Sequence, residues 1–201
     1  MSARPLTETV LAAVRGGVTL VQLRDKAAPA RVLVDQARLL SALLEPLGVP
    51  LIVNDRVDVA AAVGVGAHIG QTDLPVAAAR AILGWEVSLG LSLDDPDQAR
   101  PADLDLVDYV AHGPFAPTGT KPDAGPAVGL DGLGATRMRT GLPLVAIGGI
   151  GAANAGAAIT AGADGVAVVS AIMQADDPER MASELRLIVD AALVRRVQEI
   201  R

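Results

Sequence analysis

One unit recurs along the whole chain: a short apolar run, a polar break, then an Ala-rich stretch with apolar residues at helical spacing. Runs of the strand type fall at residues 18–23, 51–53, 67–69, 87–91, 107–111, 144–147 and 166–169. Helical stretches lie between them, at Ala30–Leu44, Val57–Val63, Val76–Leu83 and 154–161, with a long one over 178–200 and a first one, Leu6–Arg15, ahead of every strand. Apolar runs without polar alternation belong to strands buried on both faces, as in a parallel sheet covered by helices. Glycines follow several helices (Gly48, Gly64, Gly84, Gly162), where a left-handed cap is required. The pattern predicts an α/β fold of seven strands and eight helices. No linker or low-complexity tract interrupts it, so residues 1–201 are read as one domain.

Hydrophobic residues make up 51% of the chain, yet there is one Trp, one Tyr and one Phe, so the core has to be built from Ala, Val, Leu and Ile. The absence of Cys removes disulfides and thiolate metal sites. A net charge of −6 with no basic run argues against nucleic acid or an anionic membrane as partner. No apolar segment reaches the roughly 18–20 residues of a membrane span. Met1-Ser2-Ala3-Arg4-Pro5 is no signal peptide, and the expectation is a soluble cytoplasmic protein.

Seven strands do not close a (β/α)8 barrel, and a doubly wound open sheet competes with it. The position of the polar residues decides. Gln22-Leu23-Arg24-Asp25-Lys26 follows the first run, Asn54-Asp55-Arg56 the second, Gly70-Gln71-Thr72-Asp73 the third and Ser92 the fourth. The fifth run opens into Gly113-Pro114 and a loop with Thr118, Gly119, Thr120 and Lys121. Reactive side chains at so many successive strand ends form a ring rather than a single crevice, which favours the TIM barrel.

Gln22, Arg24 and Lys26 alternate along extended backbone and share a face, a set suited to pyrophosphate; a charged surface loop neutralised by Asp25 is the competing reading. Asp55 and Asp73, at successive strand ends, are what Mg²⁺ needs when phosphate oxygens and water complete its shell; they could equally be helix N-caps. Asn54 is placed to orient a ligand through its amide. Hydroxyls, Gly119 and Lys121 in the fifth loop suit phosphate oxygens. Gly148-Gly149-Ile150-Gly151 and Val169-Ser170 end neighbouring strands, where backbone N–H groups form a phosphate cup. His68, inside a strand, reads as a packed histidine, His112 as a pocket liner and Trp85 as packing.

These residues resemble the thiamine-phosphate synthase family. The motifs are QLRDK at 22–26, VNDR at 53–56, HIGQTDLP at 68–75, GLS at 90–92, DYVAHGPFAPTGTK at 108–121, AIGGI at 146–150 and GADGVAVVSAI at 162–172, in family order over nearly the whole chain from about Leu6. The resemblance implies transfer of a hydroxymethylpyrimidine group from its pyrophosphate to the ring nitrogen of a thiazole phosphate, with Mg²⁺. Carried over by motif, Gln22, Leu23, Arg24, Asp25, Lys26, Asn54, Ser92 and Lys121 hold the pyrimidine pyrophosphate, and Arg24, Lys26, Ser92 and Lys121 assist bond cleavage. Asp55 and Asp73 bind Mg²⁺. Thr118, Gly119, Thr120, Gly149, Val169 and Ser170 hold the thiazole phosphate. The implied chemistry is dissociative: the C–O bond breaks before attack, so no general base is needed.

The chain departs from the family pattern in two places. Residues 1–5 are too short and polar for the strand that opens the family fold, so the expected architecture is a (β/α)8 barrel lacking its first strand. Runs 18–23 and 166–169 then become open edges, with lowered stability and self-association as expected consequences. His112 stands where many relatives carry an apolar or small residue. The alternatives are a thiazole tautomerase-like barrel, which would lack the paired aspartates and the lysine, and a non-catalytic thiamine-phosphate binder.

Overall fold

A computed structural model describes residues 4–119 and 125–199. The chain alternates as the repeat requires: α1 (Leu6–Arg15), β1 (Val21–Leu23), α2 (Ala30–Leu44), β2 (Leu51–Asn54), α3 (Val57–Val63), β3 (Gly66–Ile69), α4 (Val76–Leu83), β4 (Leu89–Leu93), α5 (Pro101–Leu104), β5 (Tyr109–His112), α6 (Gly129–Arg139), β6 (Leu144–Ile147), α7 (Ala155–Thr160), β7 (Gly165–Ala167), α8 (Ser170–Met173) and α9 (Pro178–Glu199). Nine helices among the described residues, against eight expected, reflect four-residue turns such as α5 and α8, too short to display a period. The first strand starts at Val21 rather than 18, because the Gly17 and Val18 N–H groups are spent on closing the end of α1, on Val14 O and Ala13 O.

The seven strands form one parallel sheet in sequence order, β1 to β7. Residues paired across a parallel ladder point to the same face. The register therefore sorts the side chains into two sets. Leu23, Val53, Ala67, Leu91 and Val110 belong to the outer set, buried beneath the helices. Gln22, Asn54, His68, Ser92 and Tyr109 belong to the inner set. Helices pack in succession around the outside: α1 on α2, α2 on α3, α3 on α4, α6 on α7, α7 on α9 and α9 on α1. The first helix thus meets the last, while β1 and β7 each keep a single sheet neighbour among the described residues.

Two aspartates fasten the end of the sheet where strands begin. Asp108, just before β5, accepts from Leu89 N (2.7 Å) and from Arg80 Nη2 (2.8 Å). Arg80 is 3% exposed and also donates to the carbonyls of Leu106, Gly84 and Val87. Asp164, just before β7, repeats the device with Leu144 N, Arg137 and Arg196. Trp85 is not the packing residue the sequence suggests: it is 66% exposed, and the Arg80 guanidinium lies 4.6 Å from its ring. With structure concentrated at this end, the opposite ends of the strands are left for chemistry. No helix among the described residues is long and apolar enough to cross a membrane.

Candidate active site

The ends of β1, β2 and β3 bring a lysine and two carboxylates together. Lys26 Nζ lies 3.2 Å from Asp55 Oδ2. Asp55 has φ +62°, a left-handed conformation that side-chain-bearing residues rarely take. Its N–H still continues the ladder to His68 O (2.8 Å). Holding a non-glycine residue there costs on the order of 1 kcal/mol, a local strain of the kind found at functional sites. Burial first, then Asp73, push the Asp55 carboxyl above its ordinary value, and Lys26 pulls it back.

Neither aspartate caps a helix. The N-cap positions of α3 and α4 are Arg56 and Pro75, and Asp73 Oδ2 instead accepts from Gly70 N at 2.7 Å. Asp25 forms no ion pair with the neighbouring cations among the described residues; its Oδ1 accepts from Ala27 N and Ala28 N, folding its own loop. Arg24 is exposed. Leu23 is buried in the core, which leaves its backbone for any ligand contact. A cavity of about 160 Å³ lies against Lys26, Asn54, Asp55 and Arg56.

Ser92, on the inner face of β4, is held by residues the sequence alone does not connect to it. His68 Nε2 is 2.8 Å from Ser92 Oγ, and Gln71 Nε2 donates to Ser92 O at 2.7 Å. His68 Nδ1 is 2.8 Å from the Tyr109 hydroxyl. His68 is therefore not merely packed. His112 is no pocket liner: it pairs with Leu93 and Ala146 on the outer face and lies fully buried, its Nδ1 2.5 Å from Thr136 Oγ1 on α6. Adjacent strand residues face opposite ways, and only the register shows that Ala111 rather than His112 looks inward.

The loop after β5 rests on the glycine turn after β6. Phe115 N donates to Ile147 O (2.8 Å) and Ala116 N to Gly148 O (3.0 Å). Gly149 has φ +66°, and a Cβ there would come within 2.5 Å of Ala116 O. Glycine is thus demanded by the loop packing as well as by any ligand. Asn154, which sequence reading passed over, ties the turn by accepting from Gly151 N and donating to Gly149 O. Thr118 and Gly119 continue this loop; Thr120 and Lys121 lie outside the described residues. Val169 and Ser170 follow β7, next to β6 in the sheet, so their turn adjoins the glycine turn.

A parallel α/β protein with a carboxylate–lysine cluster at one group of strand ends and a glycine turn at another has the layout of an enzyme acting on small molecules. The Thiamine monophosphate synthase family model matches residues 1–172. The chain is 55% identical over 193 residues to a thiamine-phosphate synthase of Xanthobacter autotrophicus, covering 96% of this chain and 92% of the relative. It is 52% identical over 190 residues to that of Azorhizobium caulinodans, covering 94% and 90%. Among solved structures, thiamine phosphate pyrophosphorylase from Pyrococcus furiosus superposes with a TM-score of 0.86 at 37% identity, covering 94% of this chain and 92% of that one. The chain belongs to the thiamine monophosphate synthase family.

Proposed function

We propose that the chain is a transferase that condenses 4-amino-2-methyl-5-hydroxymethylpyrimidine diphosphate with 4-methyl-5-(2-phosphooxyethyl)thiazole, giving thiamine phosphate and pyrophosphate. It would act as one domain in the cytoplasm, folded as a (β/α)8 barrel with the place of one strand open. The two open edges are the surfaces through which copies would associate.

The observation that carries the reading is the Lys26–Asp55–Asp73 cluster. Asp73 raises the Asp55 carboxyl and one lysine, paired with Asp55, opposes it, an arrangement that a divalent cation relieves. No group of three or more His, Cys, Asp or Glu among the described residues could form a self-sufficient metal cage. A pair of carboxylates that leaves room for phosphate oxygens and water fits Mg²⁺. Bound there, Mg²⁺ would neutralise charge developing on the leaving pyrophosphate.

The protein's own groups supply the rest. Arg24 in a fork and Lys26 as a point charge hold the pyrophosphate oxygens, with Lys121 as a third cation. Gln22, Asn54 and Ser92 orient the pyrimidine. Backbone N–H groups of the Gly149 and Val169–Ser170 turns, with Thr118, Gly119 and Thr120, hold the thiazole phosphate so that its ring nitrogen faces the reacting carbon. The C–O bond breaks with its electron pair going to pyrophosphate, and the thiazole nitrogen supplies the pair for the new C–N bond. No proton has to move.

Incubation with both substrates, with and without Mg²⁺, tests this. Thiamine phosphate and pyrophosphate in equal amounts, dependent on Mg²⁺, are the expected outcome. Rearrangement of a thiazole alone would indicate a tautomerase, and binding without turnover a non-catalytic binder; either overturns the reading.

A further inference from the structure

We infer that Tyr109 and His68 act as positioning residues that fix Ser92 as a hydrogen-bond donor, so that Ser92 recognises an acceptor, a ring nitrogen, on the pyrimidine substrate. This rests on the proposed transferase reading and deepens it.

The three side chains belong to adjacent strands and to one face. His68 pairs with Gly90, and Gly90 pairs with Tyr109, so β3, β4 and β5 present them at one level. Gly90 is what lets them meet: a Cβ there would overlap the Tyr109 ring, which crosses β4 to reach His68. The two rings stand 5.4 Å apart between centroids, tilted by 31°. Ser92 lies one inward position further along β4, towards the strand end where the Lys26–Asp55–Asp73 cluster gathers.

The direction of the Tyr109 hydrogen orders the hydrogen bonds along Tyr109, His68 and Ser92. The Tyr109 hydroxyl has a single partner among the described residues, His68 Nδ1 at 2.8 Å. A largely buried phenol uses its one hydrogen, and the acceptor it meets among the described residues is that nitrogen. An imidazole that accepts at Nδ1 carries its hydrogen on Nε2. His68 Nε2 then donates to Ser92 Oγ, 2.8 Å away. The hydroxyl hydrogen of Ser92 is directed away from His68 and needs an acceptor. Gln71 meanwhile holds the Ser92 carbonyl at 2.7 Å and limits rotation of the backbone that carries it. Of the groups on an aminopyrimidine, the amino group offers hydrogens and the ring nitrogens offer lone pairs. With one lone pair occupied by His68 and its hydrogen directed away from it, Ser92 meets the latter as a donor.

The tautomer can be read directly, because the chain has two histidines and His68→Gln identifies the signals of the first. In ¹⁵N spectra of the folded protein, His68 should show a protonated Nε2 and a pyridine-type Nδ1. In Tyr109→Phe, which keeps the ring against Gly90, the tautomers should mix. A protonated Nδ1 in the parent chain overturns the inference whatever the enzyme does.

The kinetic arm uses substrate analogues. Replacing the contacted ring nitrogen by C–H should cost the parent about tenfold or more in kcat/KM, and cost Ser92→Ala almost nothing further. Removing the amino group should cost both proteins alike. Tyr109→Phe should raise KM for the pyrimidine pyrophosphate several-fold and leave KM for the thiazole phosphate unchanged. His68→Gln, whose side-chain N–H can still reach Ser92, should keep more activity than His68→Leu. Equal losses in these two variants, or a Ser92-dependent loss on removing the amino group instead, would overturn the assignment. If neither substrate is turned over, the transferase reading fails and the tautomer alone decides the positioning claim.

Discussion

Asp55 concentrates the local physics of this protein in one residue: a left-handed backbone, a partly buried carboxyl lifted above its ordinary value, and a lysine at 3.2 Å. Asn tolerates that backbone nearly as well as Asp and removes the charge. Asp55→Asn should therefore melt no lower than the parent without metal, since the repulsion from Asp73 is gone. Saturating Mg²⁺ should raise the parent's Tm by roughly 5 °C or more, as a ligand at about 100 times its Kd contributes about 2.7 kcal/mol. The variant should show almost no shift. An equal Mg²⁺ shift in both would remove Asp55 from the metal site.

His68 sets a pH dependence. Burial lowers its imidazole from 6.5 to about 4, with Asp73 pulling the other way. Between those values the unfolded chain binds a proton that the folded chain refuses, so stability rises with pH through the window and is lost as pH falls. By pH 5 roughly 2 kcal/mol of this contribution should be gone. Burial lowers His112 as well and adds to the effect, whereas the raised Asp55 opposes it at the acid end. Urea melts between pH 7 and 5 should show the slope, flattened in His68→Gln. The carboxylates and Ser92 were legible in the sequence because each ends an apolar run. What His68 touches was not, because it depends on the register of three strands and on the missing side chain at Gly90.

At the scale of elements, the two ends of each strand divide the work. Asp108 and Asp164 each stand one residue before a strand, accept the first N–H of the preceding one, and gather arginine donors, buried at Arg80 and half-buried at Arg137 and Arg196. Arg80→Met should cost roughly 2–4 kcal/mol, because several carbonyls and one carboxylate lose a buried partner. It lies far from the strand ends that hold the site, so KM for both substrates should stay within twofold; denaturant unfolding and steady-state kinetics check the pair of outcomes. At the other end, the glycine turn after β6 and the loop after β5 form one unit. The sequence displays the glycines but not their reason. Two readings, a close ligand and a close loop, demand the same residue at 149, and the contact with Ala116 adds the second. A side chain at Gly149 therefore disturbs the loop carrying Thr118 and Gly119 together with the proposed phosphate cup, and cannot by itself separate the two.

For the whole molecule, the repeat of apolar run and Ala-rich helix specified the parallel sheet and its helical cover almost completely, since period and burial are local properties. The packing of α1 against α9 was not legible: it joins residues at opposite ends of the chain, which no local period encodes. That contact draws the helices into a ring around an inner face whose polar residues come from β1 to β5, with the glycine turn of β6 and the Val169–Ser170 turn of β7 beyond them. The central claim is that this ring holds two separate anion sites. A crystal structure grown with Mg²⁺, thiamine phosphate and pyrophosphate measures it most directly. Pyrophosphate should lie against Arg24 and Lys26, joined through the metal to Asp55 and Asp73, with the phosphate of thiamine phosphate on the backbone N–H groups of the Gly149 and Ser170 turns. Pyrophosphate bound away from the two aspartates, or the two phosphate ligands exchanging places, would contradict it.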